Sequence, residues 1–383
     1  MESIKLYDKA NSFIEIRHSD QAHQDILRRI GKVRQDLAQR PTSDYRSQII
    51  LQACDDLLSD PATDSKPSFY LREHVIEELG RVSDEEMPRY LFYRYRYDVF
   101  PQEKKIDHFA PCLQIEPTSI CNYRCVFCYQ IDKNLTRRQN GHMGMMSLEL
   151  FKRVVDQAEG ACEAVTLASR GEPLLCRDID KMLAYLRGKF LALKINTNAS
   201  VLDERKAHAI LQAGFNTVVF SADAASEPLY SQLRVKGKLD KVLANIEQFQ
   251  EIRTHHYSDS RTITRVSGVR YCQDQNIDDM ERVWGNLVDQ VAFVDYNPWE
   301  NSYQRPINDI TPPCSDLWRR MFVWHDGTVN PCDVDYLSTL AVGNANEESL
   351  SDIWTGEKYS ALRDAHLARQ RSSVSPCNRC TLV

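Results

Sequence analysis

From about residue 110 onward the chain alternates short apolar runs with longer amphipathic ones. This alternation restricts the fold more than any other feature. The runs Leu113 to Glu116, Ala164 to Ala168, Leu191 to Asn196, Thr217 to Ala222, Ile263 to Val269 and Gln290 to Tyr296 have strand length and strand composition. Helical spacing follows in Ser147 to Gly160, Ile179 to Arg187, Glu204 to Gly214, Leu239 to His255 and Ile277 to Leu287. Six such units predict an α/β fold with a parallel sheet, a barrel or part of one. In that architecture chemistry sits at the C-terminal ends of the strands.

Directly after the first predicted strand stands Cys121-Asn122-Tyr123-Arg124-Cys125-Val126-Phe127-Cys128, three cysteines spaced C-x3-C-x2-C. Thiolates hold iron–sulfur clusters, and a cubane ordinarily takes four. Three in one loop suggest a cluster with one iron open to something other than protein. A structural zinc site is the competing reading; it needs a fourth ligand, and His108 is the only histidine close upstream.

The other strand ends carry compatible side chains. Ser169-Arg170-Gly171-Glu172-Pro173 follows the second strand: Gly171 allows close backbone approach, Pro173 stiffens the turn, and Glu172 can accept from an ammonium or a ribose. Asn196-Thr197-Asn198 follows the third, with short polar groups suited to a ribose. Ser221-Ala222-Asp223 ends the fourth. Beyond it Tyr230 and Arg234 lie one helical turn apart, and Arg234 can hold a carboxylate with two prongs.

On these residues the chain resembles the radical S-adenosylmethionine (SAM) enzyme family. The resemblance covers residues 110 to 383 and implies a partial (β/α)6 TIM-type barrel. It implies that Cys121, Cys125 and Cys128 hold a 4Fe–4S cluster whose open iron takes SAM, with Phe127 as the family's aromatic before the last cysteine. It further implies that Gly171, Glu172 and Pro173 form the loop that binds the methionine ammonium. Asn196, Asn198, Ser221 and Arg234 then serve the ribose and carboxylate. Ser169-Arg170 stands where the family often has another glycine.

A second cysteine set closes the chain: Cys314, Cys332, Cys377 and Cys380. Asp326-Gly327 predicts a hairpin that presents Cys332, and Leu350, Ile353 and Trp354 mark the apolar face of a following helix. Four cysteines fit a complete 4Fe–4S cluster or an all-cysteine zinc. The arrangement resembles the twitch and SPASM extensions of radical SAM enzymes, with ligand gaps very like those of a twitch-containing aminocyclitol dehydrogenase, which implies one auxiliary 4Fe–4S cluster. The other five cysteines (Cys54, Cys112, Cys162, Cys176, Cys272) read as buried small hydrophobes.

Residues 1–108 form a helical N-terminal region, 109–305 the partial barrel and 306–383 the auxiliary domain. In the first, helices are predicted over Asp20 to Arg40, Asp44 to Asp60 and Tyr70 to Leu79, with Pro41-Thr42-Ser43 as punctuation. The run Arg89-Tyr90-Leu91-Phe92-Tyr93-Arg94-Tyr95-Arg96-Tyr97 reads as a half-buried element whose rings pack on the next domain while its arginines stay wet. A net charge of −6 argues against a nucleic-acid binder. No run is long enough to span a membrane, and Met1-Glu2-Ser3-Ile4-Lys5 lacks the apolar core of a secretory signal. These features, with twelve cysteines, predict a cytoplasmic metalloprotein.

The expected chemistry is cleavage of SAM to a 5′-deoxyadenosyl radical. The radical abstracts hydrogen from a small polar substrate (an aminocyclitol, sugar or sugar nucleotide), the auxiliary cluster accepts an electron, and a flavodoxin or ferredoxin serves as reductant. A proton acceptor is sought among Glu300, Arg305, Asp333 and Asp335. Two alternatives stand beside it. A peptide-modifying maturase would begin with a winged-helix domain containing strands; a non-catalytic zinc protein would lack the SAM pocket.

Overall fold

The structure, a computed structural model, describes residues 18–39, 44–59 and 69–383. The N-terminal pentapeptide and Pro41-Thr42-Ser43 lie outside the described residues. The chain divides into two compact units, one ending at Ile106 and one beginning at Asp107.

The first unit is helical throughout its described residues: α1 Asp20–Ala38, α2 Tyr45–Leu58, α3 Glu73–Arg81, α4 Met87–Asp98 and a single turn Phe100–Glu103. Ser19 and Asp44 cap α1 and α2 by accepting from backbone N–H groups. The predicted stripes are buried at Ile26, Ile30 and Val33 and at Ile50, Cys54 and Leu57, but Leu58 is exposed. Helix α3 starts later than predicted and runs through Gly80.

The arginine–tyrosine run is α4, and it corrects one expectation. Arg94 and Arg96 are buried rather than wet. Arg94 donates to Asp98 at 2.9 Å and lies 3.6 Å from Glu78, while Arg96 lies over the Phe92 ring at 4.7 Å. A helix turns successive side chains in all directions, so a run wrapped by its own unit buries both residue types, and each guanidinium then needs a partner inside. The rings pair locally as well, Phe69 with Tyr95 and Tyr90 with Tyr93.

The second unit is built on one nine-stranded sheet. Its strands are β1 Cys112–Ile115, β2 Ala164–Leu167, β3 Ala192–Thr197, β4 Thr217–Ser221, β5 Ile263–Arg270, β6 Gln290–Asp295, β7 Arg320–Val323, β8 Thr328–Asn330 and β9 Gly343–Asn344. The spatial order is β9-β8-β7-β1-β2-β3-β4-β5-β6, with β1 to β6 parallel throughout. All six predicted strands are present within one or two residues. The helices between them, Leu148–Ala158, Ile179–Leu186, Glu204–Ala213, Leu239–His256 and Ile277–Gly285, also fall where the periodicity placed them. Ser147, Asp203 and Asn276 cap three of these helices.

The sheet is open, with β6 and β9 as its two edges, so it is a partial barrel rather than a closed one. Strand β7 pairs in parallel with β1, Leu113 opposite Met321. The Asp326-Gly327 turn follows with Gly327 at φ 88°, and β8 returns antiparallel. The auxiliary region thus begins as an extension of the barrel sheet. Leu350, Ile353 and Trp354 are all buried, as their spacing predicted.

Candidate functional site: two sets of cysteines at the mouth of a partial barrel

The loop after β1 carries the first cysteines. Arg124–Cys125 forms a short antiparallel pair with Arg234–Val235, and Val126 N–H donates to Leu233. The loop is therefore tied to the segment after β4. Cys125 is buried, and Cys121 and Cys128 are half-buried. Burial pushes the Cys121 thiol up to about 12 and raises those of Cys125 and Cys128.

Donors are nevertheless aimed at the sulfurs. Cys121 Sγ faces Tyr123 N–H at 3.4 Å and the Asn198 side-chain amide at 3.9 Å; Cys125 Sγ faces the Arg234 guanidinium at 3.8 Å. Low-dielectric surroundings with N–H groups directed at sulfur suit thiolates that are bound to metal. His108, the alternative fourth ligand, is exposed.

The loop after β2 lies directly against this one. A Cβ on Gly171 would stand 2.2 Å from Thr118 O and 2.7 Å from Ile120 O, so only glycine fits. Glu172 N–H donates to Ile120 at 2.9 Å. Ser169 takes φ 144°, a conformation costly for a side-chain-bearing residue, at the position where the family often has glycine. The buried Glu172 carboxylate accepts from Leu174 N–H (3.1 Å), Thr197 Oγ1 (2.7 Å) and Asn198 N–H (2.7 Å), which locks the second and third loops together. Burial raises its pKa. Pro173 opens a buried 3-10 turn.

Asn198 accepts at Oδ1 from Ser200 and donates to Asn122 at 3.0 Å. Asn196 ends with its Oδ1 buried and unpartnered, a place for a ligand donor. Ser221 closes β4 half-buried. Arg234 holds the fully buried Asp223 at 2.6 Å, and Asp223 also accepts from Val269 N–H. Phe127 packs on Tyr271 and under Arg234. Tyr230 is buried in the helix Leu229–Leu233, which ends at Arg234.

One constellation had no motif to announce it. Glu116, just past β1, is fully buried and takes Arg170 on both oxygens at 2.7 Å. Arg170 also donates to Tyr336 O and stacks 4.5 Å from the Trp324 ring, while His325 Nδ1 lies 3.0 Å from Glu116. Burial pushes the Glu116 carboxyl up, yet Arg170 and His325 outweigh it and hold it at about 2. The residue beside the SAM-type loop is thus clamped to the hairpin that leads to Cys332.

The second cysteines gather beyond that hairpin. Cys314, Cys332 and Cys377 line one small cavity with Asp316, Leu340 and His366. Cys380 belongs to the apolar cluster that includes Cys314, Cys332 and Trp299. Burial, with Asp316 adding to it at Cys314 and neighbouring thiols at all three, pushes Cys314 and Cys377 up to about 12 and raises Cys332 well above the ordinary thiol range. Trp299 also packs on the cluster formed by Tyr129, Leu135 and Tyr336, against which Cys128 packs as well. It therefore packs on both the aromatic cluster beside Cys128 and the apolar cluster that includes Cys380, a position its sequence gave no sign of.

None of the twelve cysteines is in a disulfide. Cys272 is half-buried rather than buried; Cys54, Cys112, Cys162 and Cys176 are buried as expected.

Among the proton-acceptor candidates, Asp335 is committed elsewhere: it accepts from Tyr303, Thr339 and Leu340. Arg305 donates to Asn297 at 2.8 Å. Glu300 and Asp333 each keep one buried oxygen without a partner. Glu300 takes the Tyr296 hydroxyl on its other oxygen.

These loops define a class before any relative is considered: a partial α/β barrel with a three-cysteine loop after its first strand and a separate four-cysteine site. The family model of the Radical SAM superfamily matches residues 115–278, and that of the iron-sulfur cluster-binding SPASM domain matches 314–381. The chain thus carries a Radical SAM domain and a SPASM domain.

It is 28% identical over 194 residues to a GTP 3′,8-cyclase of Desulforamulus reducens, covering 49% of this chain and 57% of the cyclase, little more than half its length. It is 20% identical over 289 residues to the S-adenosyl-L-methionine-dependent 2-deoxy-scyllo-inosamine dehydrogenase of Niallia circulans, covering 73% of this chain and 95% of that protein. It shares the fold of Streptococcus suis SuiB bound to its precursor peptide SuiA, with TM-score 0.54, 18% identity and 72% of each chain covered.

The first domain is of the kind that binds a 4Fe–4S cluster with SAM, and the second of the kind that binds auxiliary iron–sulfur clusters. The residues fit both groups. Donors face the thiol sulfurs of the first set, Gly171 leaves no atom in the way of close backbone packing, and three cysteines of the second set share one cavity while Cys380 lies in the apolar cluster against which Cys314 and Cys332 pack.

Proposed function

We propose that this radical SAM enzyme cleaves SAM to a 5′-deoxyadenosyl radical, abstracts a hydrogen atom from a small polar substrate such as an aminocyclitol, sugar or sugar nucleotide, and oxidises it with one auxiliary 4Fe–4S cluster as electron acceptor. Cys121, Cys125 and Cys128 hold the first cluster. Asn198 and Arg234 donate toward its sulfurs, and Phe127 packs beneath Arg234. Gly171, Glu172 and Pro173 shape the loop that receives the methionine ammonium, Asn196 offers its buried Oδ1 to the ribose, and Ser221 lines the same rim. Cys314, Cys332, Cys377 and Cys380 hold the auxiliary cluster.

The observation that carries this reading is the pair of unpartnered carboxylate oxygens of Glu300 and Asp333. Glu300 is next to Trp299, which packs on the clusters beside Cys128 and around Cys380, and Asp333 is next to Cys332. A substrate hydroxyl that becomes a carbonyl must lose a proton as its carbon loses an electron, and a carboxylate at that position accepts it. Arg305 orients Asn297 on the same loop. A flavodoxin or ferredoxin supplies the starting electron, and twelve unpaired thiols suit a reducing, cytoplasmic setting.

A maturase acting on a peptide is the second reading, favoured by the SuiB-like fold. The described residues before Asp107 form only helices, without the strand pair of a winged-helix peptide-binding domain, which favours the small substrate.

Anaerobic reconstitution with a panel of amino sugars, aminocyclitols and short peptides tests the proposal. Release of 5′-deoxyadenosine above the uncoupled background, with a ketone product from a small polyol, supports it. Stimulation by peptides alone, or no cleavage of SAM under any condition, overturns it.

A further inference from the structure

Arg371 lies six residues before Cys377 and is 1% exposed. Its guanidinium donates to three backbone carbonyls: Cys377 O at 3.1 Å through Nε, Pro312 O at 3.2 Å, and Cys380 O at 2.7 Å. Two of these carbonyls belong to cysteines of the C-terminal set, and the third lies two residues before Cys314. A planar, preorganised fork with donors pointing several ways holds two backbone segments, at Pro312 and at Cys377–Cys380, in a fixed geometry.

The charge is the second observation. Arg170 and Arg234, also buried, each hold a carboxylate. Arg371 has only neutral carbonyls as hydrogen-bond partners, and among the described residues no carboxylate pairs with it. A buried cation without a counter-charge is strongly disfavoured. An iron–sulfur core with four thiolates carries net negative charge and stands where that counter-charge is needed.

We propose that Arg371 is the positioning residue of the auxiliary cluster: it fixes the backbone around Cys314, Cys377 and Cys380, and its charge raises the reduction potential of the cluster they hold. The inference rests on the iron–sulfur reading of the C-terminal site. Asn308 supplies an uncharged comparison, because its side chain also donates to Cys380 O, at 3.3 Å.

The test is made on the full chain, reconstituted anaerobically, with iron content and a redox titration followed by electron paramagnetic resonance. In Arg371→Gln the potential of the cluster that does not respond to SAM falls. The oxidised-to-reduced ratio at fixed poise shifts at least tenfold, about 59 mV for one electron. Both variants lose the three-carbonyl clamp, so in each a part of the chains lacks the second cluster and iron falls below about eight per chain while the folded protein persists; Arg371→Lys keeps the charge, so the clusters it retains hold their potential. Asn308→Ala moves neither reading by comparison.

Full iron and an unchanged potential in Arg371→Gln overturn the proposal. If that variant does not fold, full iron in Arg371→Lys overturns it instead, as does a shift in Asn308→Ala equal to that in Arg371→Gln. An unsubstituted protein with about four irons and no SAM-insensitive signal fails the iron–sulfur reading itself; about eight irons with unresponsive Arg371 variants fails only the role of Arg371.

Discussion

The two cysteine sites are built on opposite principles. Cys121, Cys125 and Cys128 sit in one loop of eight residues, held from outside by the segments after β2, β3 and β4. Cys314, Cys332, Cys377 and Cys380 span nearly seventy residues and are drawn together by a hairpin, a helix and one buried arginine. The first site has three thiols and neighbouring loops shaped for another ligand. The second has four cysteines, three lining one cavity and Cys380 in the apolar cluster against which two of them pack. An open site suits binding and cleavage; a closed one suits storage and transfer of an electron.

Substitutions test that contrast, and the largest effect belongs to the open site. Cys125→Ala should drop 5′-deoxyadenosine formation to background; cleavage at anything near the normal rate would show that the loop is not the SAM site. Cys377→Ala should halve the iron and abolish product while leaving uncoupled SAM cleavage. Product at the normal yield would make the second site merely structural. Glu300→Gln should slow product formation by about 10²–10⁴-fold with SAM cleavage intact. If Asp333→Asn does so and Glu300→Gln does not, the proton goes to the carboxylate beside Cys332.

The clamp between the regions comes next. Arg170→Met leaves the Glu116 charge buried without its main partner and should destabilise the barrel unit by about 3–5 kcal/mol, read from denaturant unfolding. The same pair sets an acid limit. Glu116 has a folded-state pKa of about 2, below its ordinary 4.5, so its contribution is present above pH 4.5 and is lost as pH falls toward 2. Its size is about 3 kcal/mol. In Glu116→Gln that acid sensitivity should shrink; an unchanged pH profile would assign the loss to other groups.

The strands and helices were legible because each is a local pattern: short β-branched runs, helical spacing and capping residues such as Ser147 and Asp203. The first cysteine loop was legible for the same reason, since its ligands are neighbours in sequence. What joins the two regions was not. The pairing of β7 with β1 links residues about two hundred positions apart, and a short apolar run does not specify its distant partner. Arg170 and Glu116 meet across 54 positions and His325 joins them from 209 away, with no spacing rule to connect them. Arg94 and Arg96 misled for a related reason. A charged residue reads as exposed until the partner that permits its burial is found, as Asp98 is for Arg94. Asp335 looked like a candidate base, but it is occupied by the turn that follows it.

The central claim is that one site meets SAM and the other does not. Electron paramagnetic resonance of the reduced, reconstituted protein, recorded with and without SAM, tests it without knowledge of the substrate. The account predicts two cluster signals, of which SAM perturbs one, and Cys377→Ala removes the other. A single signal, or two that both shift on adding SAM, would contradict it.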